Sequence, residues 1–160
     1  MILTTERLLL RPWCEADAEN LYRIAKDTEV AHPAGWPPHT SAEHSLDVIR
    51  TVLSKPTVFA VCAKDGLPIG NIHLDFQTPL RLHDGECELG YWLGKAYWGQ
   101  GLMTEAARAL FRTCLPERVF LRYGAAITTA MSEADGYSKS SALSIIIPIW
   151  RGTKRFTARI

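Results

Sequence analysis

Long apolar runs, clustered cysteines and an excess of either charge are all missing from this sequence of 160 residues. No apolar run approaches the roughly 20 residues of a membrane span, so no membrane partner is expected. Met1-Ile-Leu-Thr-Thr-Glu-Arg7 lacks the basic-then-apolar plan of a signal peptide. Cys14, Cys62, Cys87 and Cys114 lie far apart with no Cys-x-x-Cys, which reads as reduced thiols in a cytoplasmic protein. The five histidines form no His-x-x-x-His or Cys/His cluster, and no metal site is expected. Eighteen basic residues against seventeen acidic ones leave a net charge of +1, which argues against nucleic-acid binding driven by bulk charge.

What is there is the balance of a globular protein: 47% apolar and 22% charged residues. A chain of this length suits one domain and buries roughly 70% of its unfolded surface without a disulfide or metal. The charge is uneven. Residues 1–114 hold eleven basic and fourteen acidic residues, and residues 115–160 hold seven and three.

Leu3 to Arg11 reads as a first strand stopped by Pro12. Leu21, Ile24 and Ala25 give a helical spacing within Ala16–Lys26, with acids near its start. His32 to His39, rich in proline and glycine, reads as a loop. Ser41 is a good N-cap for a second helix lined by Leu46, Ile49 and Leu53. Thr57–Ala63 and Pro68–Phe76 flank the turn Lys64-Asp65-Gly66 as a hairpin. Glu86–Leu93 is a further strand, and Met103–Thr113 consists of helix formers. The order predicts an α/β (α+β) fold with a mostly antiparallel twisted sheet flanked by helices.

The informative stretch runs from Glu86 to Ala107: a strand enters a loop with Gly99 and Gly101, and the loop opens a helix. Such a loop aims several backbone N–H groups at one point, and the helix terminus adds about half a positive charge. That combination suits phosphate or pyrophosphate, though an ordinary tight strand–helix turn would carry the same glycines. No Gly-Lys-Ser/Thr follows, which excludes a Walker loop, and the dinucleotide fingerprint Gly-x-Gly-x-x-Gly is incomplete.

Gly90-Tyr-Trp-Leu93 followed by Tyr97-Trp-Gly-Gln-Gly-Leu-Met-Thr-Glu-Ala106 resembles the acetyl-CoA motif of GNAT N-acetyltransferases. The nearest branch is that of the ribosomal-protein alanine/serine N-acetyltransferases, whose opening strand Thr4–Pro12 also resembles. The resemblance covers residues 3 to about 114. The general signature Gln/Arg-x-x-Gly-x-Gly/Ala falls on Trp98, Gly101 and Met103, so two of its three positions depart from the general form. The resemblance implies that N–H groups of Gly99, Gln100, Gly101, Leu102, Met103 and Thr104 hold the CoA pyrophosphate. It implies too that strand 86–93 splays from its neighbour, so that main-chain groups of Trp92 and Leu93 meet the pantetheine arm while a strand N–H polarises the thioester. Tyr97 and Trp98 are expected to pack under the loop.

The expected reaction is direct transfer of acetyl from acetyl-CoA to a primary amine, such as a protein N-terminus, in a ternary complex. The amine must shed a proton, and an α-amino group titrates near 8, so a modest base suffices. Strand alternation puts Glu86 and Glu88 on one face. Glu88, just before Leu-Gly-Tyr, is the first candidate for the base and Glu86 the second; a merely solvated strand face is the bland alternative. His73 and Asp75, on one face of the preceding strand, and Trp36 and His39, in the loop between the first helices, are candidates for the acceptor site. The competing expectation is an impaired acyl-CoA-binding remnant, or an interaction module that keeps the fold.

After Cys114 the family's Tyr-Asp-Gly-Asn, Ser-x-Arg and Gly-Phe segments are absent. Permitted codons for Tyr123 to Lys139, read from the third base, encode a stretch containing Tyr-Asp-Gly-Asn. A frameshift between about Cys114 and Tyr123 is one reading, and a divergent native C-terminal part is the other. The expected division is therefore a 1–114 core and a poorly ordered 115–160 segment. Val119–Ala130 could supply the missing strand. Without it, strand 86–93 keeps an open edge that invites self-association or a homodimer, with weak stability or low activity.

Overall fold

The computed structural model describes residues 1–75, 86–115 and 142–148. The expectations for Thr78–Gly85, Val119–Ala130 and the frameshift lie outside the described residues.

The first strand is in fact a small hairpin, β1 (Leu3–Thr4) with β2 (Leu9–Arg11). Exposed Glu6 and Arg7 occupy the turn. Thr5 closes it by accepting from the Leu8 N–H at 3.0 Å through its hydroxyl. A single 3-10 turn, Glu15–Asp17, leads into α1 (Ala18–Ala25). Next comes α2 (Thr28–Ala31), where the Asp27 side chain accepts from the Glu29 N–H at 2.9 Å. Four residues are too few to show a helical period, so this turn was hidden in the sequence. Ser41 caps α3 (Ala42–Val48), accepting from the His44 N–H at 3.1 Å, and the helix widens into a π-helical turn over Ile49–Leu53. The hairpin β3 (Val58–Cys62) and β4 (Pro68–Asp75) turns through Gly66 at φ +85, a left-handed conformation that glycine adopts without strain. Then follow β5 (Glu86–Leu93), α4 (Leu102–Cys114) and β6 (Ala142–Pro148).

The sheet runs β1-β2-β3-β4-β5-β6, each neighbour antiparallel. Helix α4 covers one face. Its Met103, Ala106, Ala107, Leu110 and Phe111, at helical spacing, are all buried against Leu89, Ile72 and Phe59 of the strands. Helices α1–α3 cover the other face, where Leu21, Ala25 and Ile49 meet Val58, Ala60 and Trp92. Among the described residues no helix is long and apolar enough to cross a membrane.

The expected open edge on β5 is not found, because β6 pairs with it from Glu86↔Pro148 to Trp92↔Ala142. An unpaired row of strand N–H and C=O groups takes up any suitable extended segment, and Ala142–Pro148 with its three isoleucines is one. Residues 142–148, which lie outside the expected core, pair with β5.

One ion pair ties the first turn of the helical layer to the sheet. Arg11 reaches both oxygens of Asp17 at 2.7 and 2.8 Å, and Asp17 also accepts from the Cys14 N–H at 2.9 Å. Burial pushes the Asp17 carboxyl up, but these hydrogen bonds outweigh it and leave the group below the usual carboxylate range. Removing one partner strands a charge, so Asp17→Ala should lower unfolding free energy by about 3 kcal/mol. Exposed Glu15, paired to Arg50 at the surface, should lose far less on the same change. Equal losses in urea titrations of the two variants would contradict this.

Candidate active site

Two places in the fold answer to the expected chemistry, and they lie on either side of β5. The first is the turn between β5 and α4. Gly99 and Gly101 stand at φ +70 and +68, in the left-handed region. A Cβ added at Gly99 meets nothing within 4 Å, so this surface is open. Gly101 is the N-cap of α4 and offers no capping side chain, which leaves first-turn N–H groups for an outside acceptor. Leu102 and Met103 bury their side chains and can contribute only main chain. Gln100 donates to the Ala96 carbonyl at 3.0 Å. Trp98 tucks beneath, its indole N–H donating to the Leu93 carbonyl at 2.6 Å, and Tyr97 packs against the core beside it.

Arg7, which sequence reasoning passed over, braces this turn from the first hairpin. Its guanidinium donates to the Gln100 carbonyl at 2.9 Å and pairs with Glu105 at 2.7 Å. Glu105 lies in the first turn of α4, where it would compete with a bound anion. Arg7 neutralises it. Nothing local in the sequence joins positions 98 residues apart.

The second place is a cavity of about 590 Å³ beneath α3, on the face of the sheet away from α4. Trp36, His39, His73, Asp75 and Trp92 all line it. The register explains the grouping: Asn71↔Trp92, His73↔Gly90 and Asp75↔Glu88 are cross-strand pairs of β4 and β5. Trp92 lies between Trp13, tilted at 32°, and the edge-on Trp36, at 71°, with ring centroids 6.1 and 5.9 Å away. Gly90 is bare for a reason. A Cβ there would lie 2.3 Å from Cε1 of His73, so the imidazole occupies the space that a side chain would fill. Glu88 is 9% exposed, one pleat beyond Gly90, and does not itself line the cavity. Glu86 is the first residue of β5.

His39 reaches the cavity but is held: its Nδ1 lies 2.7 Å from the Ser45 hydroxyl, and its ring rests between Trp36 and His44. Asn71, also unforeseen, accepts from the Trp13 indole N–H at 2.9 Å and meets Nδ1 of His73 at 3.3 Å. The alternation Asn71, His73, Asp75 along one strand face was the available signal. Burial, then the nearby His44 charge, pushes His39 down to about 4. Burial lowers His73 as well, against the opposing fields of Glu88 and Asp75.

The splay expected beside β5 is absent over Glu86–Trp92. Trp92 lies between Asn71 and Ala142, and the Leu93 carbonyl is taken by Trp98. One main-chain group expected to meet a pantetheine arm, the Leu93 carbonyl, thus has a protein partner in this structure.

The family model described as an acetyltransferase (GNAT) domain matches residues 7–135. The chain belongs to the GNAT acetyltransferase family. The match continues past Cys114, where the resemblance was expected to end. This GNAT chain is 31% identical over 114 residues to p20 of Bacillus licheniformis, an uncharacterized N-acetyltransferase, covering 68% of this chain and 62% of that one. It thus spans less than two thirds of that relative. Among solved structures, a GNAT-family acetyltransferase from Bacillus anthracis superposes with a TM-score of 0.53 at 22% identity, over 78% of this chain and 66% of its own. RimL, a ribosomal L7/L12 α-N-protein acetyltransferase in complex with coenzyme A, gives 0.56 at 19%, over 71% and 67%. Both bear on the fold.

Both depressed imidazoles make stability depend on pH. Unfolded, a histidine titrates near 6.5, whereas His39 in the fold titrates near 4. Between these values the unfolded chain binds more protons, so stability is full above about 6.5 and declines as pH falls toward 4. Asp17 and Glu105, both below the usual carboxylate range, add losses only at lower pH. The urea midpoint should fall between about pH 7 and about pH 4.5, and His39→Phe should flatten part of that fall. An identical slope in wild type and variant would remove His39 from the account.

Proposed function

We propose that this chain is an acetyl-CoA-dependent N-acetyltransferase that moves acetyl directly to a primary amine, such as a protein N-terminus, in the cytoplasm. One observation carries the reading: a glycine turn with two left-handed residues opens α4 at one end of β5, and the opposite face of β5 floors a cavity fit for an amine.

The turn suits a diphosphate. N–H groups from Gly99 to Thr104 would hold it where Gly99 leaves open surface, and α4 adds its positive end. Acetyl-CoA, when bound, supplies the acetyl group as an activated thioester. Glu88 takes a proton from the acceptor's ammonium, directly or through water, with Glu86 as the alternative base. The neutral amine then attacks the thioester carbonyl, the C–N bond forms as the C–S bond breaks, and CoA leaves as its thiol. A positioned carboxylate contributes roughly 10²–10⁴-fold. Trp36, Trp92 and the His39 ring form an apolar wall for the acceptor's body, and His73 and Asp75 give its polar end partners. The coenzyme named with RimL supports the cosubstrate, and that protein's acceptor supports a peptide amine.

Acetyl-CoA at about a hundred times its Kd should stabilise the fold by about 2.7 kcal/mol, seen as a raised Tm. Glu88→Gln should keep that shift yet slow thiol release from acetyl-CoA with an amine by at least about 10²-fold. Unchanged turnover would take Glu88 out of the base role, and an unmoved Tm would end the cosubstrate reading.

The pairing of β6 with β5 favours a second reading, an acyl-CoA-binding remnant or interaction module with its coenzyme edge closed. Hydrogen exchange separates the two. If the arm uses this edge, acetyl-CoA should release β6 and speed exchange of residues 142–148. Protection that persists under saturating acetyl-CoA would support the closed edge.

A further inference from the structure

We propose that a buried relay from Trp13 through Asn71 fixes the ring proton of His73 on Nε2, and that this N–H selects amines carrying a hydrogen-bond-accepting oxygen beside the nitrogen. The second half rests on the acetyl-transfer reading; the first does not.

An indole N–H can only donate. Trp13 Nε1 lies 2.9 Å from the Asn71 side-chain oxygen, and Asn71 is fully buried, so the orientation of its amide is decided. The amide nitrogen then faces His73 Nδ1 at 3.3 Å. It has only hydrogens to offer, so Nδ1 is the acceptor and the ring proton sits on Nε2. In that form His73 is a donor on the acceptor side, and the base role stays with β5.

His73 lines the cavity. The Cε1–Nε2 edge lies over Gly90, where an added Cβ would come within 2.3 and 2.5 Å of those two atoms. Asp75 on β4, Glu88 on β5 and Lys55 ahead of β3 are the charged groups whose fields reach the ring, and none is hydrogen-bonded to it among the described residues. An amine filling the largely apolar cavity displaces water from Nε2–H. An oxygen one carbon removed from the amine-bearing carbon replaces that bond. A bare alkylamine leaves the N–H stranded, and a site built around a donor discriminates against such analogues. His73 is thereby a specificity-determining residue.

Imidazole 15N–1H spectra of the whole protein test the tautomer. The proton should be found on Nε2, and Trp13→Phe, which frees the Asn71 amide to turn over, should give a mixture or shift it to Nδ1. A proton on Nδ1 in the wild type overturns the proposal. Alaninamide and sec-butylamine, which has a CH2–CH3 in place of the C(=O)–NH2 and so lacks the accepting oxygen, test the selection. Alaninamide should shift the Nε2–H signal and sec-butylamine should not; equal shifts overturn the selection whatever the turnover. In kcat/KM, the preference for alaninamide should drop about tenfold in His73→Leu, the worth of one neutral hydrogen bond, and largely return in His73→Gln, which keeps a donor at that reach. A preference unchanged in His73→Leu overturns it too. If neither amine is acetylated while the signals still discriminate, the acetyl-transfer reading fails and the donor assignment stands.

Discussion

The register of β4 against β5 is the constraint on which the candidate site rests. With His73 set opposite Gly90, the flanking pairs Asn71–Trp92 and Asp75–Glu88 follow, because side chains alternate across a strand. A slip of one residue would turn the polar row into the α4 layer and the apolar row, Ile72, Leu74 and Leu89, into the cavity. Burial on both faces forbids the slip. The apolar residues are held by Phe111 and Leu110 of α4, and the polar ones face the aromatic wall. The same packing that stabilises the sheet thus positions the chemistry. Gly90 is the residue where both demands meet, since only a missing Cβ lets the imidazole lie flat across the partner strand.

Much of this was legible from one dimension. The glycine turn was found because left-handed backbone and helix entry leave a mark in residue type: Gly99 and Gly101 both take positive φ, and α4 begins where helix formers begin. The grouping of Trp36, His39, His73 and Asp75 on one wall was also readable, through strand alternation and the resemblance together. Features that depend on long-range partners were not. Arg7 looks like any surface cation until the turn at Gln100 is placed beside it. Asn71 looks like a strand polar residue until Trp13 donates to it. The hairpin within Leu3–Arg11 was hidden because Leu8, Leu9 and Leu10 form a continuous apolar run and the reversal is closed at one residue, Thr5, whose main-chain N–H and hydroxyl both bond Leu8.

The least legible part was the edge of β5. A family pattern predicts which segment should lie there, but hydrogen-bonding capacity alone decides which one does. Ala142–Pro148 satisfies that capacity with its own main chain, whatever its side chains were selected for. The glycine turn and the edge of β5 are therefore separable elements: one keeps its open backbone geometry while the other is covered.

The brace from Arg7 has a consequence for how such chains drift. Its guanidinium satisfies a main-chain carbonyl and a carboxylate at once. The carbonyl is supplied by any residue at position 100, so that position can vary freely. Positions 7 and 105 cannot: loss of the cation leaves an unpaired acid at the N-terminal end of α4, and loss of the acid leaves the cation to bind the turn alone. Those two positions should change in concert across related chains, as a linked pair whose memory spans the length of the core.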